Sequence, residues 1–157
     1  MKHILFVCHG NICRSVMAEM VMRHLVAQHP YLQHLDITID SCATSREEIG
    51  NDIYPLAKRC LTKHHIPFTR HAARQITIAD YQHFDLILCM EQYNIRNLRH
   101  VLGQEILHAD AALAQPKIRI LLDHDVADPW YTGDFETTYH DVLQGCNQLI
   151  NILETTN

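Results

Sequence analysis

Along this chain, short continuous runs of hydrophobic residues alternate with segments in which hydrophobic residues recur at helical spacing. The first run, Ile4 to Val7, predicts a buried strand. Apolar residues then recur at helical spacing from about Ser15 to Gln28, which predicts an amphipathic helix. The segment DITIDS, residues 36–41, is rich in β-forming residues and predicts a second strand. An irregular polar stretch, Cys42 to Asp52, follows it.

Two helical segments are predicted in the middle of the chain. One has Pro55 early, with Leu56 and Cys60 on one face. The other begins at the letters TIAD, where Thr77 can cap the helix and Asp80 occupies the third helical position. This pair is a variant of the capping box, in which each side chain satisfies a free backbone N–H group.

The remaining apolar segments complete an alternating pattern of strands and helices. The run FDLILCM, residues 84–90, is typical of a central strand covered on both faces, and KIRILL, residues 117–122, is a fourth strand candidate. Apolar residues from Tyr139 to Leu153 are spaced for a long helix that packs one side against a sheet. The alternation predicts βαβ crossovers and a doubly wound α/β fold with a parallel sheet.

Composition limits the number of domains. The chain has 157 residues, of which 47% are hydrophobic, enough to bury a sizeable core. No internal repeat, low-complexity tract or linker rich in proline, glycine or serine divides the sequence. We therefore expect residues 1–157 to form a single domain.

Charge and hydropathy exclude two classes of partner. The formal net charge is -5 and no run of like charge occurs, which argues against nucleic acid or a membrane surface as a partner. No apolar segment approaches the length of a membrane span, and the N-terminal residues lack the layout of a signal peptide. The sequence predicts a cytoplasmic protein.

The cysteines are predicted to be free thiols, because a chain this apolar does not depend on disulfides. Their spacing contains no Cys-x-x-Cys pair, and the histidines form no His-x-x-x-His helical pair backed by a carboxylate. We therefore predict no metal site and no cofactor. Four cysteines lie on structural segments and are interpreted as packing residues: Cys42, Cys60, Cys89 and Cys146.

The segment VCHGNICRS, residues 7–15, carries the strongest candidate chemistry. It lies where the first strand gives way to the first helix, an edge at which backbone N–H groups and the helix dipole attract anions. The loop between Cys8 and Arg14 is long enough to curl around a tetrahedral oxyanion. Gly10 and Asn11 suit the positive φ angles of such a nest, and Arg14 can hold two phosphate oxygens at once.

Cys8 is predicted to lie among these donors, beside a helix N-terminus and a permanent cation. Such surroundings stabilise a thiolate at neutral pH. Ser15 can donate a hydrogen bond to the sulfur or cap the helix, and Asn11 can brace the loop. The alternative is that Cys8 is only a small buried hydrophobe, but the combination of residue types at this junction favours a nucleophile.

A second motif, DVADPWYTGD at residues 125–134, offers a general acid. Proline at position 129 keeps Asp128 out of helical conformation and stiffens the turn, which aims the carboxyl group at a fixed point. Trp130 and Tyr131 beside it can wall a slot for a flat aryl group. Alone, such a motif is usually a turn with packing aromatics, so its catalytic interpretation depends on Cys8.

Both motifs, in this order, resemble the low-molecular-weight protein tyrosine phosphatases. The resemblance covers nearly the whole chain, because DSCATS, EIGND, RHAARQIT, FDLILCMEQYNIRNL and GDFETTY also resemble segments of that family. A Cys-x5-Arg motif alone recurs in unrelated phosphatases. The pattern Cys-x-Gly-Asn-x-Cys-Arg-Ser with a distal Asp-Pro is far more specific.

The resemblance implies a flavodoxin-like fold, with a four-stranded parallel sheet flanked by helices and a phosphate-binding loop after strand 1. It also implies metal-free hydrolysis of phosphomonoesters, notably phosphotyrosine in proteins. Tyrosine-phosphorylated proteins would be the partners, and inorganic phosphate and other oxyanions would inhibit. By matching position, Cys8 would be the nucleophile, Arg14 the phosphate clamp and Asp128 the general acid.

Other site residues follow from the same resemblance. The phosphate-binding loop would comprise His9, Gly10, Asn11, Ile12, Cys13 and Ser15. Asn11, Ser15 and His71 would form a supporting hydrogen-bond network, while Ile12, Trp130 and Tyr131 would line the slot. The mechanism we hypothesise has two steps, a phosphocysteine formed on Cys8 and its hydrolysis by water, with Asp128 as acid and then as base.

Three positions depart from the family pattern. Val16 stands where proline is common, and His9 stands where mammalian members have an aliphatic side chain. Glu47 stands where members that prefer phosphotyrosine often have an aromatic residue. Together with Glu48 it is predicted to disfavour acidic peptides at the rim of the substrate pocket, unless the pair is only a solvated charge cluster.

Cys13 lies in the same loop as Cys8, and the family uses this pair as a reversible disulfide. The resemblance therefore implies that Cys13 is a redox partner of the nucleophile and that thiols reverse inhibition by peroxide.

Three other functions compete with phosphotyrosine hydrolysis. Arsenate reductases of the same fold share the Cys8 loop but need a relay of further cysteines, for which Cys89 is the candidate. Phosphoarginine phosphatases of the family carry threonine where Ile12 stands. A non-catalytic phosphate-binding module would need the loop without the thiolate or the acid, but the glycine pattern of a dinucleotide site is absent after strand 1.

Overall fold

The computed structural model describes residues 1–156 and contains one parallel sheet. Its four strands are β1 (His3–Cys8), β2 (Thr38–Ala43), β3 (Leu86–Cys89) and β4 (Ile118–Ile120). They are ordered β2-β1-β3-β4, and every neighbouring pair is parallel. This is the strand order of the flavodoxin-like folds, so the predicted doubly wound sheet is confirmed.

Eight α-helices and one short 3-10 turn are assigned in the described part of the chain. The helices are α1 (Arg14–Ala27), α2 (Pro55–Lys63), α3 (Ile78–His83), α4 (Gln92–Asn97), α5 (Arg99–Leu102), α6 (Gln104–Ala111), α7 (Pro129–Thr132) and α8 (Phe135–Thr156). The 3-10 turn covers Leu32–His34. No helix within residues 1–156 combines the length and the apolar character that crossing a bilayer requires.

The sheet separates two hydrophobic clusters. Alternate residues of β1 point to opposite faces, so that Ile4 and Phe6 join one cluster while Leu5 and Val7 join the other. The first cluster also contains the apolar residues of α1, α2 and α8, and the second contains those around α5 and α6. Burial on both faces explains why β1 and β3 read as continuous apolar runs.

The prediction of an amphipathic first helix is wrong for its first half. Every residue from Arg14 to Met22 is buried, including Glu19, whereas the exposed positions lie in the second half. The cause is that α8 packs along α1 on the side away from the sheet. The Cys146 thiol lies 3.7 Å from the carbonyl oxygen of Ala18, which marks the closeness of the two helices.

The long closing helix is also longer than predicted and has a different main neighbour. It begins at Phe135 and packs chiefly against α1 and α2 rather than directly on the sheet. Its buried stripe still has the predicted helical spacing: Phe135, Thr138, Tyr139, Val142, Gly145, Cys146, Leu149, Ile150 and Leu153.

In the middle of the chain, two sequence signals marked helix starts correctly, whereas three short helices were not predicted. The capping box is confirmed, because Thr77 accepts a bond from the backbone of Asp80 and Asp80 accepts one from the backbone of Thr77. Pro55 is the first residue of α2, as predicted. The helices between residues 92 and 111 were not predicted, because they are short and are interrupted at Gly103, whose φ is 88°.

Candidate active site

The loop after β1 has the predicted position but not all of the predicted backbone angles. β1 ends at Cys8 and α1 begins at Arg14, so residues 9–13 make the turn between them. Asn11 has a φ of 62°, in the left-handed region that asparagine tolerates. Gly10 does not have a positive φ, which corrects the prediction for it. A Cβ at Gly10 would meet Cγ of Glu48 at 3.4 Å, an ordinary contact with a flexible side chain, so lack of space does not require glycine here either.

The sulfur of Cys8 is buried and surrounded by hydrogen-bond donors. The backbone N–H of Asn11 donates to Sγ at 3.2 Å, and the Ser15 hydroxyl oxygen lies 3.0 Å from it. The Ser15 oxygen accepts a bond from the Asn11 side-chain amide at 2.8 Å, which leaves its own proton free to point at the sulfur. The environment is therefore suited to a sulfur anion.

Asn11 connects the loop to three separate segments. Its side-chain amide donates to Ser15 and, at 2.9 Å, to Ser41 on β2. Its side-chain oxygen accepts a bond from the backbone N–H of Arg74 at 3.2 Å. The Nε2 atom of His71 lies 2.8 Å from the backbone oxygen of Asn11 and 3.1 Å from its side-chain oxygen. Asn11, Ser15 and His71 thus form one network behind the loop.

This network continues through three residues that were not predicted as site residues: Ser41, Glu19 and Arg23. Ser41 donates its hydroxyl proton to Glu19 at 2.6 Å, and both side chains are buried. The Arg23 guanidinium, four residues further along α1, donates to the same carboxylate at 2.9 Å. Ser41 lies in a predicted strand, and Glu19 is a charged residue in a mostly apolar helix. No sequence pattern linked these two polar residues to each other.

Arg14 is only 2% exposed and its guanidinium is held from three directions. It donates to the backbone oxygen of Val126 at 2.9 Å, and it pairs with the carboxylates of Glu91 at 3.2 Å and Asp128 at 3.3 Å. Glu91 was not predicted as a site residue. It directly follows Met90 at the end of β3, so the topology brings it to the same sheet edge as Arg14.

Asp128 is fixed at the start of a short helix. Its backbone is extended, with φ -78° and ψ 114°, as expected for a residue before proline. One carboxylate oxygen accepts a bond from the Trp130 backbone N–H at 3.1 Å and caps α7, while the other lies against Arg14. The Asp128 side chain is 23% exposed, so the carboxyl group remains open to a bound molecule.

These residues share one pocket. Its lining consists of the whole loop and the residues across it: Cys8, His9, Gly10, Asn11, Ile12, Cys13, Arg14, Glu47, Glu48, Asp128, Trp130 and Tyr131. Ser15 and His71 lie behind the loop rather than in the lining. Trp130 is half exposed and Tyr131 is almost fully exposed, so they stand as walls at the opening. Tyr54, which the sequence analysis missed, supports Trp130 with its ring 4.9 Å away.

The rim of the pocket carries an ion pair. The Nε2 atom of His9 lies 3.0 Å from a carboxylate oxygen of Glu47, and both side chains are exposed. Glu48 lies against Gly10 and accepts a bond from the Asn51 side chain at 2.6 Å. Glu47 and Glu48 therefore belong to the pocket lining, and the Glu47 carboxylate faces the His9 ring across the rim.

All six cysteines are free and buried. Burial raises the pKa of Cys13 to about 12, and the negative charges of Cys8 and Asp128 add to this effect, against a smaller opposing effect of Arg14. Burial likewise raises the pKa values of Cys42, Cys60, Cys89 and Cys146, so these thiols stay protonated at neutral pH.

A protein-family model described as low molecular weight phosphotyrosine protein phosphatase matches residues 3–157. The chain belongs to this family. A relative of that name from Homo sapiens is 38% identical over an alignment of 157 positions, which covers 95% of this chain and 94% of the relative. The match therefore extends over essentially the full length of both proteins.

Solved structures of the low molecular weight phosphatase family share the fold. The crystal structure of YfkJ from Bacillus subtilis has a TM-score of 0.87 and 34% identity, and it covers 100% of this chain and 97% of that one. The crystal structure of DARP, a Drosophila arginine phosphatase, has a TM-score of 0.76 and 28% identity and covers 96% of both chains. The fold thus accommodates proteins whose names refer to different phosphorylated residues.

Proposed function

We propose that this chain hydrolyses phosphotyrosine in proteins, and aryl phosphates generally, through a phosphocysteine intermediate on Cys8. The observation that carries the proposal is the pocket itself. A buried sulfur surrounded by donors, a buried guanidinium and an open carboxyl group line a single cavity. This is the set of groups that a displacement at phosphorus needs: a nucleophile, a clamp for the oxygens and an acid for the leaving group.

In the first step, the thiolate of Cys8 attacks phosphorus and forms an S–P bond. The bond from phosphorus to the phenolic oxygen breaks, and Asp128 gives its proton to that oxygen so that a neutral phenol leaves. Arg14 and the N–H groups of the loop bind the oxygens of the transferring group, whose charge they stabilise. Because Asp128 is fixed at the start of α7, its carboxyl group is held in position to donate this proton.

In the second step, a water molecule attacks phosphorus and the S–P bond breaks. Asp128 accepts the proton from this water, and inorganic phosphate leaves while Cys8 returns to the thiolate. The hydrogen bond between Ser15 and Cys8 stabilises the departing sulfur anion. Inorganic phosphate and similar oxyanions then compete with the substrate for the same loop.

The proposal is tested by measuring hydrolysis of p-nitrophenyl phosphate in the presence of a chelator. Cys8→Ser is expected to abolish turnover. Asp128→Asn is expected to lower kcat by about a hundred- to ten-thousand-fold, while inhibition by inorganic phosphate changes little. Full turnover by either variant would contradict the assignment of its role, and activity that requires an added metal ion would contradict the mechanism.

The choice of phosphotyrosine over phosphoarginine rests on the pocket lining. Ile12 presents an apolar side chain to the pocket and has no hydroxyl with which to orient a second nucleophile. Trp130 and Tyr131 offer flat walls that suit a phenyl ring. With matched peptides, phosphotyrosine is expected to be hydrolysed at the higher kcat/KM. A preference for phosphoarginine would overturn the substrate class and leave the nucleophile unchanged.

The burial of Cys89 argues against an arsenate reductase. A reductase relay passes a disulfide between accessible cysteines, whereas Cys89 lies in the central strand β3 with no exposed surface. The expected outcome is that arsenate inhibits the phosphatase and is not reduced at the expense of thiols.

A further inference from the structure

A cluster of metal-binding side chains lies outside the pocket, where the end of α2 meets the start of α8. One ligand atom from each of Cys60, His64 and Glu136 falls within 4.8 Å of the other two. The Cys60 sulfur is 3.7 Å from one carboxylate oxygen of Glu136, and Nε2 of His64 is 2.7 Å from the other. The Cys60 side chain is buried, and the other two are partly exposed.

A fourth side chain borders the same cluster. Nε2 of His140 lies 3.9 Å from the carboxylate of Glu136, and the His140 ring stands edge-on to the His64 ring with 5.9 Å between centroids. His140 is mostly exposed, so its ring can turn without disturbing the core. The four residues form two pairs spaced four residues apart, Cys60 on α2 with His64 directly after its last residue, and Glu136 with His140 on α8.

The helical spacing explains why these groups converge. Residues four apart on a helix lie on the same face, and the His64 backbone N–H bonds to the Cys60 carbonyl at 3.2 Å, which keeps that turn regular. The two helices pack against each other at this point, so the two faces meet. The absence of Cys-x-x-Cys and His-x-x-x-His pairs predicted no metal site, but Cys60 with His64 and Glu136 with His140 are mixed pairs that match neither pattern.

From this geometry we infer a zinc site formed by Cys60, His64, Glu136 and His140. Thiolate, imidazole and carboxylate are the ligands of tetrahedral zinc, whereas magnesium and calcium take oxygen ligands only. In such a site the ligand atoms stand roughly 3.3 to 3.6 Å apart. The separation of 3.7 Å between the Cys60 sulfur and the Glu136 oxygen is already close to that value.

Two neighbouring side chains, Tyr139 and Lys63, affect the binding of an ion at this site. The ring of Tyr139 stacks on the His64 ring at 3.8 Å with an interplanar angle of 12°, which holds the imidazole in orientation. The ammonium group of Lys63 lies 3.1 Å from a carboxylate oxygen of Glu136 and competes for it. Because the Lys63 side chain is 67% exposed, it can turn into solvent when a divalent cation takes its place.

A zinc ion here would link the end of α2 to the start of α8. The two helices also meet the pocket wall, because Tyr54, directly before α2, packs against Trp130 and Phe135. The site lies away from the residues proposed to act on phosphate, and its existence does not depend on the proposed function. The bound ion is expected to raise the midpoint of thermal unfolding.

The test uses metal-free protein carrying Cys8→Ser, so that the pocket sulfur cannot bind the probe. Cobalt(II) is added as the probe, and the thiolate-to-cobalt charge-transfer absorption is followed. One equivalent of cobalt is expected to bind, to be displaced by zinc and to raise the unfolding midpoint. Adding Cys60→Ser is expected to abolish the absorption. His64→Gln or Glu136→Gln is expected to weaken binding about a hundred-fold, and His140→Ala about ten-fold.

The matched control is His100→Ala, which removes an exposed histidine on α5 and is expected to change nothing. The metal-free unfolding midpoint reports whether each variant folds. Should Cys60→Ser fail to fold, the partly exposed ligands His64 and Glu136 decide the question. The proposal is overturned if the absorption survives Cys60→Ser, if His64→Gln and Glu136→Gln bind as the parent does, or if no cobalt binds. In those cases the cluster is only an ion pair between helices.

Discussion

At the scale of single residues, the two cysteines of the loop have opposite surroundings. The Cys8 sulfur receives hydrogen bonds and faces the pocket. Cys13 precedes α1, is 5% exposed, and has its pKa raised to about 12, first by burial and then by the negative charge of Cys8. Oxidation of Cys8 to a neutral sulfenic acid removes that second cause. The same event that disables the nucleophile therefore makes Cys13 easier to deprotonate.

Replacing Cys13 tests this coupling. When peroxide converts Cys8 to a sulfenic acid, the Cys13 thiolate can attack its sulfur, and the S–S bond forms as hydroxide leaves to become water. The Cys13→Ser variant is expected to lose activity to peroxide as fast as the parent but to recover several-fold less activity when a thiol is added. Activity recovered after peroxide treatment is the measurement. Equal recovery would contradict a protective role, and Cys42→Ser serves as a control that leaves the loop intact.

Some residues of the candidate site could be identified from the sequence, and others could not. Cys8, Arg14 and Asp128 were predicted because their proposed chemistry depends on local spacing or on a neighbouring proline, and the structure brings the three to one pocket. Ser41 and Glu91 were not found, because each reaches the site only through the sheet topology, from the ends of β2 and β3. Residue-type patterns carry no information on which strand ends become neighbours.

At the scale of elements, the loop between β2 and α2 supports the site through Asp52. Its carboxylate pairs with Lys58 at 2.6 Å and accepts bonds from the backbone N–H groups of His71 and Ile53. The Lys58 bond, with smaller effects of the two backbone bonds, lowers the pKa of Asp52 to about 2. Because His71 in turn contacts Asn11, Asp52 indirectly holds the phosphate-binding loop.

Because folding lowers the pKa of Asp52, the free energy of unfolding is expected to fall as the pH is lowered. Folding favours the ionised form of Asp52, so its stabilising contribution is present above the ordinary pKa of about 4 and is lost as the pH falls towards about 2. Asp52→Asn is expected to lower the free energy of unfolding by about 1 kcal/mol at pH 7. The difference from the parent should disappear near pH 2.

Denaturant unfolding at several pH values measures this effect. The exposed Asp36→Asn variant is the control and is expected to match the parent throughout. A difference between Asp52→Asn and the parent that persists unchanged at pH 2 would contradict the role of the ionised carboxylate.

The contact between α8 and the segment after β4 requires a glycine. A Cβ at Gly145 would lie 2.4 Å from Cγ of Leu121, closer than packed carbon atoms come. Gly145→Ala gains about 1 kcal/mol of helix propensity but overpacks the contact at a cost of about 1 to 3 kcal/mol. We expect net destabilisation of up to about 2 kcal/mol, measured by denaturant unfolding.

A double-mutant cycle isolates the cause. Leu121→Ala should cost less stability in the Gly145→Ala background than in the parent, because it removes the overlapping atoms. Asn147→Ala, at an exposed position of the same helix, keeps the propensity gain without the overlap and is expected to be neutral or stabilising. If Gly145→Ala stabilises the protein as Asn147→Ala does, the overlap has no energetic effect.

Elements were predictable where a simple apolar pattern matched their burial. β1 and β3 are covered on both faces and read as continuous apolar runs, α8 repeats its apolar residues at helical spacing, and the capping box at Thr77 marks a helix start. α1 was predicted as amphipathic because Met17, Met20, Val21 and Leu25 recur at helical spacing, but its first half lies between the sheet and α8. Burial from two sides leaves no polar stripe to be read, so only the tertiary packing reveals it.

At the scale of the whole molecule, the net charge does not reveal the hydrogen-bond donors that the fold gathers at the loop after β1. The chain carries a formal charge of -5, yet the anion-binding loop concentrates N–H donors and the Arg14 guanidinium at one sheet edge. The fold concentrates these donors at the sheet edge, because the loop after β1 leads into the N-terminus of α1. The anion binding proposed for this loop therefore follows from the topology and does not require a positive net charge.

Binding at the loop should stabilise the entire fold, because the loop connects β1 to α1 and both belong to the main core. Inorganic phosphate at about a hundred times its Kd is expected to add about 2.7 kcal/mol to the free energy of unfolding. For a domain of this size, that raises the thermal midpoint by about 5 to 11 °C. Calorimetry at constant ionic strength, with chloride replacing phosphate, measures the shift. Arg14→Lys, which keeps the charge but loses the two-pronged contact, should show a much smaller rise. An equal rise in this variant or in chloride would mean that phosphate acts on the protein generally and not at the loop.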